Sequence, residues 1–216
     1  MKISAVIFDL DGTLIDTEEQ WGKAFVDALK SFGKVVTDPH PEVFGVSIED
    51  NWRMLLTKYQ IKTTKTIEEL VDITYKFYAK YLPEASLISG AREFLESLKD
   101  ADIKIALATS CEWWVVDKIF DKLGLEGVFD ATVTGEETPI KKPLPGPLLL
   151  AADKLGVLPA DCLVIGDSPT DVEAARNAGM KVIAITNKVK DEGALANADL
   201  IVEGFAEVTL KVIEGL

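Results

Sequence analysis

The segment Asp9-Leu10-Asp11-Gly12-Thr13 places two carboxylates two residues apart, directly after the apolar run Ile3-Ser4-Ala5-Val6-Ile7-Phe8. In an extended chain such residues point the same way, so both would project from a strand end. Gly12 would then let the chain turn sharply. Like charges at that range repel unless a cation or a shared proton lies between them. Thr109-Ser110 closes a second apolar run with two hydroxyls just before a helix start, a place suited to an oxyanion. Gly166-Asp167-Ser168 closes a third, with Asp171 following, and Lys141-Lys142-Pro143 opens a proline-rich loop able to hold one lysine in place. Asp9, Asp11 and Asp167 are hard oxygen ligands suited to Mg2+. Lys142 and the two hydroxyls would hold phosphoryl oxygens. A carboxylate nucleophile could form an aspartyl-phosphate, dividing one hard displacement into two steps.

Composition narrows the alternatives. The chain of 216 residues is 48% hydrophobic and 27% charged, the balance of a soluble globular protein with one core and room for a smaller second unit. A net charge of -13 argues against nucleic acid and anionic membrane surfaces as partners. A small phosphorylated substrate remains admissible because a divalent cation would screen the carboxylates, with Lys142 on its other side. One histidine, His40, nearly removes Ser-His-Asp triads and zinc hydrolases from consideration. Cys111 and Cys162 form no CxxC pair and are too few for a disulfide framework. Residues 3–8 are too short for a secretion signal and no apolar run reaches membrane-spanning length, so a cytoplasmic location is expected. Monomer and dimer are both compatible with the sequence.

The elements that must position these groups can be read from periodicity. Runs at 3–8, 103–108, 162–165 and 181–185 predict buried strands, with two weaker ones at 131–133 and 200–202. Helix-period segments at 90–98, 112–123, 145–155 and 169–178 alternate with them, which predicts a parallel sheet covered on both faces. Ligands in such sheets bind beyond the carboxyl ends of the strands. The stretch 17–82 breaks the rhythm. Trp21, Phe25 and Phe32 fall on one helix face, as do Ile48, Trp52 and Tyr59, and then Ile67, Val71, Tyr75 and Tyr78. The fold class expected is therefore α/β, a Rossmann-like parallel sheet flanked by helices, with an inserted α-helical cap domain. The boundaries are 1–15 and 88–216 for the core, and 16–87 for the cap.

The pieces Asp9-Leu10-Asp11-Gly12-Thr13-Leu14, Thr109-Ser110, Lys142-Pro143-Leu144-Pro145 and Gly166-Asp167-Ser168-Pro169-Thr170-Asp171 resemble the haloacid dehalogenase-like superfamily, of the helical-cap phosphatase type. Their order and spacing match it over essentially the whole chain. The resemblance implies Asp9 as nucleophile and Asp11 as general acid, then base. It implies Mg2+ held by the carboxylates of Asp9 and Asp167 and the backbone carbonyl of Asp11, with Asp171 steadying the metal site and approaching the ion through water. Thr109, with Ser110 beside it, and Lys142 would bind the phosphoryl group. The cap would be a substrate-specificity lid with hinges near Leu14 to Thr17 and Leu82 to Ser89.

The expected activity is Mg2+-dependent hydrolysis of a small phosphorylated metabolite. A β-phosphoglucomutase-type sugar phosphomutase is the alternative. The mutase pattern has histidine where Trp21 aligns and arginine at Ile48, and mutases and sugar-phosphate phosphatases of that branch carry glutamate at Gly166, all absent here. The Gly-Asp-Ser form resembles phosphoglycolate- and pyrophosphate-type phosphatases. A dehalogenase would have no use for Asp11, and a receiver-like phospho-acceptor needs no helical insert. Other notable residues receive structural readings: Cys111 as a small buried or rim thiol, His40 as an exposed loop residue, Trp113-Trp114 as packing, and Glu18-Glu19 and Glu136-Glu137 as solvated faces.

Overall fold

The computed structural model describes residues 3–43, 46–186 and 192–216. They form two compact units, one of residues 1–16 and 86–216 and the other of residues 17–85.

The larger unit is built on six parallel strands: β1 (Ala5–Phe8), β4 (Lys104–Ala108), β5 (Ala131–Val133), β6 (Cys162–Gly166), β7 (Lys181–Ile185) and β8 (Leu200–Val202). Their order across the sheet is β5-β4-β1-β6-β7-β8. β1 lies in the middle, with Phe8 opposite Leu107 of β4 on one side and Ile165 of β6 on the other. Helices α4 (Ala91–Asp100), α5 (Trp113–Leu123), α6 (Gly146–Leu155), α7 (Pro169–Ala178) and α8 (Leu210–Glu214) surround the sheet. Continuous apolar strands such as Ala5-Val6-Ile7-Phe8 are fully buried, as a sheet covered on both faces requires. The chain leaves β1 for β4 on one side and later returns to β6 on the other. Its connections therefore diverge beyond the carboxyl ends of β1, β4 and β6, the place where sheets of this kind bind ligands.

Two short strands escape the sequence pattern. β2 (Ile15–Asp16) and β3 (Ser86–Leu87) pair antiparallel, Ile15 with Leu87 and Asp16 with Ser86. Two residues give no periodicity to detect, so the segments expected only as connections carry a small ribbon instead. The first strand also begins at Ala5 rather than Ile3.

The smaller unit packs α1 (Glu18–Ser31), α2 (Ile48–Lys58) and α3 (Ile67–Tyr81) through their aromatic faces. Trp21 stacks on Tyr78 with ring centroids 3.7 Å apart, and Trp52 packs against both Phe25 and Phe32. Trp52 is fully buried, and its Nε1–H donates to Thr74 Oγ1 at 2.8 Å. The Thr74 hydroxyl in turn donates to the Leu70 carbonyl, so the indole N–H and this hydroxyl are both paired inside the core. His40 is not the exposed loop residue expected. It is half-buried, with Nδ1 3.3 Å from Glu42 Oε1. Its ring lies where a side chain at position 22 would stand, since a Cβ on Gly22 would be 2.5 Å from Nδ1. Among the described residues, no helix is long and apolar enough to cross a membrane.

Candidate active site

Asp9 follows β1 directly, and its backbone N–H donates to the Ile165 carbonyl, which locks it beside the end of β6. Asp167 follows β6 and faces it. Lys142 comes from the loop between β5 and α6, where its peptide bond to Pro143 is cis. Its Nζ donates to Asp9 Oδ1 at 2.7 Å and to Asp171 Oδ1 at 2.6 Å, with all three side chains at least 85% buried. Lys141, by contrast, is exposed and reaches the Gly135 carbonyl. The geometry thus selects Lys142 from the adjacent pair.

Asp171 has a second task. With Ser168 it forms a capping box at the start of α7, Ser168 Oγ accepting from the Asp171 N–H and the Asp171 carboxylate accepting from the Ser168 N–H. Its oxygens are engaged by Ser168 and Lys142, which leaves Asp9 and Asp167 as the better direct ligands for a cation. Oxygens of Asp9, Asp167 and Asp171 lie within 4.8 Å of one another, the carboxylate group among the described residues that could hold a metal. An all-oxygen, all-carboxylate set of this kind fits Mg2+.

The electrostatics point the same way. Burial pushes the Asp9 carboxyl up to about 7, opposed by Lys142 and reinforced by the charges of Asp171 and Asp11. Burial, then the charges of Asp171 and Asp9, hold Asp167 well above the usual range. Burial works against the charge on Lys142, but Asp171 and Asp9 more than offset it and raise the pKa. One lysine does not balance this many carboxylates, and a divalent cation would supply the missing positive charge.

The Asp11 carboxylate stands apart from that group, with Oδ2 2.9 Å from Cys111 Sγ. Thr109 follows β4 directly and is buried, its Oγ1 accepting from the Cys111 N–H at 3.1 Å. Ser110 is exposed. Cys111 is the buried thiol expected; burial first, then the Asp11 charge, pushes its pKa well up. Glu136 and Glu137 are exposed yet act as structural links, Glu136 accepting from the Trp113 N–H and Glu137 from the Thr134 N–H. Sequence reasoning left Thr13 without a role. It is fully buried and donates to Asp167 Oδ1 at 2.8 Å. No local signal distinguishes it from a turn threonine, because its partner lies across the sheet.

Two glycines are set by close approach. Gly12 has φ +80°, and a Cβ there would lie 2.3 Å from Asp167 Oδ2. A Cβ at Gly166 would lie 2.5 Å from Asp171 Cβ, so a glutamate at 166 would have to displace Asp171.

The family model for haloacid dehalogenase-like hydrolases matches residues 6–185, which include the whole carboxylate cluster. The chain belongs to this family. A phosphorylated carbohydrates phosphatase of Thermotoga maritima is 32% identical, over 98% of this chain and 99% of its own. A phosphoglycolate phosphatase of Aquifex aeolicus is 34% identical over 86% of each chain. A Thermotoga maritima crystal structure provisionally named a β-phosphoglucomutase superposes with a TM-score of 0.78 at 32% identity, covering all of both chains. Within the family this chain is an enzyme of the phosphoric monoester hydrolase class.

Proposed function

We propose that the protein is a Mg2+-dependent phosphatase that hydrolyses a small phosphorylated metabolite through an aspartyl-phosphate on Asp9. The observation that carries this reading is the Asp9 carboxylate held 2.7 Å from Lys142, with oxygens of Asp167 and Asp171 within 4.8 Å. Asp9 and Asp167 would hold the metal through their carboxylates and Asp11 through its backbone carbonyl. Bound there, Mg2+ would neutralise the carboxylate field and polarise the phosphoryl oxygens.

An Asp9 oxygen attacks phosphorus while the ester oxygen departs, taking a proton from the Asp11 carboxyl. Asp11, now ionised, removes a proton from water as that water attacks phosphorus; the bond to Asp9 breaks and phosphate leaves. Lys142 and the Thr109 hydroxyl hold the phosphoryl oxygens through both steps, with Ser110 at the exposed edge. Asp171 positions Lys142 and Ser168.

The unit of residues 17–85 would act as a cap that selects the leaving group, moving about the segments near Leu14 to Thr17 and Leu82 to Ser89. Phosphorylated carbohydrates and phosphoglycolate, named in relatives, head the substrate list. Hydrolysis is favoured over transfer by Trp21, whose indole is committed to Tyr78, while Gly166, where Asp171 leaves no room for a side chain, favours the phosphoglycolate- and pyrophosphate-type branch. Two free cysteines suit a reducing compartment, and we place the reaction in the cytoplasm.

The test is phosphate release from a panel of phosphoglycolate, hexose phosphates, pyrophosphate and nucleotides, with Mg2+ or with chelator. Turnover that depends on Mg2+ and vanishes in Asp9→Asn is expected. Turnover no faster than that of Asp9→Asn would overturn the reading, and conversion of glucose 1-phosphate to the 6-phosphate without free phosphate would replace it with the mutase.

A further inference from the structure

Cys111 Sγ lies 2.9 Å from Asp11 Oδ2, and the Cys111 backbone N–H donates to Thr109 Oγ1 at 3.1 Å. The side chain is 4% exposed, away from bulk solvent. A thiol carries one weak donor and only a weak acceptor, whereas a carboxylate oxygen is a strong acceptor, so the proton lies on sulfur and points to Asp11. Residues 109 and 111 alternate with exposed Ser110, so Thr109 and Cys111 turn inward together from the end of β4. The segment that carries the phosphoryl-binding hydroxyl therefore also reaches the Asp11 side chain, through Cys111.

We propose that Cys111 is a positioning residue for Asp11, its S–H donating to Oδ2 and fixing the orientation of the carboxyl group that transfers protons. This role rests on the reading of Asp11 as general acid and base. A carboxyl group free to rotate would spend less time aligned with the ester oxygen and with the attacking water. Both proton transfers would slow while the phosphoryl contacts remain, so the loss falls on kcat rather than KM. The buried thiol is a poor nucleophile, which agrees with a holding role and not with covalent chemistry of its own. Serine at this position would keep a donor; alanine would remove it.

The experiment is a kinetic cycle on the full chain with 4-nitrophenyl phosphate, whose good leaving group keeps slow variants measurable. In Cys111→Ala, kcat is expected to fall about tenfold with KM held within about twofold. Cys111→Ser should recover most of that loss. In an Asp11→Ala background, Cys111→Ala should have no further effect, since the group it orients is gone. An unchanged kcat in Cys111→Ala, an equal loss in both backgrounds, or no recovery with serine would overturn the role. Should Cys111→Ala fail to fold, the infrared S–H stretch of the otherwise unaltered protein decides, isolated by subtracting the Cys111→Ser spectrum. That band should move to higher frequency in Asp11→Ala; a band that stays in place would overturn the hydrogen bond. Failure of the underlying reading looks different, with no wild-type turnover or full turnover in Asp11→Ala, and it would remove this role as well.

Discussion

Gly12 and Asp167 are in contact across the crevice: a Cβ on Gly12 would fall 2.3 Å from Asp167 Oδ2 and 2.8 Å from its Cγ. Thr13, the next residue, donates to the other oxygen of the same carboxylate at 2.8 Å. The turn after β1 therefore shapes the position of Asp167 from both sides. It does so at a backbone conformation, φ +80°, that a side chain would strain.

Substituting Gly12 should displace Asp167 before it unfolds the protein. Gly12→Ala is expected to lower stability by about 1–3 kcal/mol from the left-handed backbone alone. It should also weaken Mg2+ binding, because Asp167 must rotate away. Calorimetric titration of Mg2+ beside a thermal melt separates the two; wild-type Mg2+ affinity in a folded Gly12→Ala would refute the contact.

Lys142 is the only cation bonded to Asp9 and Asp171 among the described residues. Lys142→Met would leave the buried carboxylates of Asp9 and Asp171 without their cation, at a cost of about 3–5 kcal/mol near neutral pH. Phosphate release should fall by roughly two orders of magnitude or more. Under mildly acidic conditions, where the carboxylates take up protons, urea denaturation should show a smaller loss of stability. An equal loss at both pH values would contradict the electrostatic origin.

Asp9 gives the metal-free protein a pH dependence of definite sign. Its pKa is raised from the ordinary 3.8 to about 7, so the folded state binds the proton more tightly than the unfolded one. The contribution of this group to stability is therefore intact below about pH 4 and is lost as pH rises through about 7. Mg2+ requires the ionised form and acts in the opposite direction. Its stabilising effect should be larger at about pH 8 than at about pH 5.5, read as the rise in Tm on adding excess Mg2+. A rise independent of pH would show that Asp9 is not a ligand.

The helical unit has its own test. Thr74→Val removes the acceptor of the buried Trp52 Nε1–H while preserving shape. The orphaned donor should cost about 1–3 kcal/mol, measured by urea denaturation. Unchanged stability would mean the indole finds another partner.

Much of the fold was legible in local pattern. The buried strands betrayed themselves as short β-branched runs between turn residues. The helices of residues 17–85 did so through aromatic faces at helical spacing, where Trp21, Phe25 and Phe32 meet partners on neighbouring helices. β2 and β3 were invisible because two residues carry no period. His40 was misplaced because its burial depends on the missing side chain of Gly22, eighteen positions earlier in the chain. Thr109 and Cys111 did leave a trace: spaced by two, they would face the same way from an extended strand end.

The chain by itself determined which chemistry was available. A single histidine, an acidic excess, carboxylates at two predicted strand ends and hydroxyls at a third leave hard-cation and phosphoryl chemistry as the natural outlet. Only the tertiary structure decided which atoms meet. Thr13 reaches Asp167 over 154 positions, Lys142 reaches Asp9 over 133, and Cys111 reaches Asp11 over 100. Periodicity reports how a segment faces its own core, set by neighbours a few residues away. Contacts across the sheet depend instead on strand order and register, which depend on how every segment packs against the others.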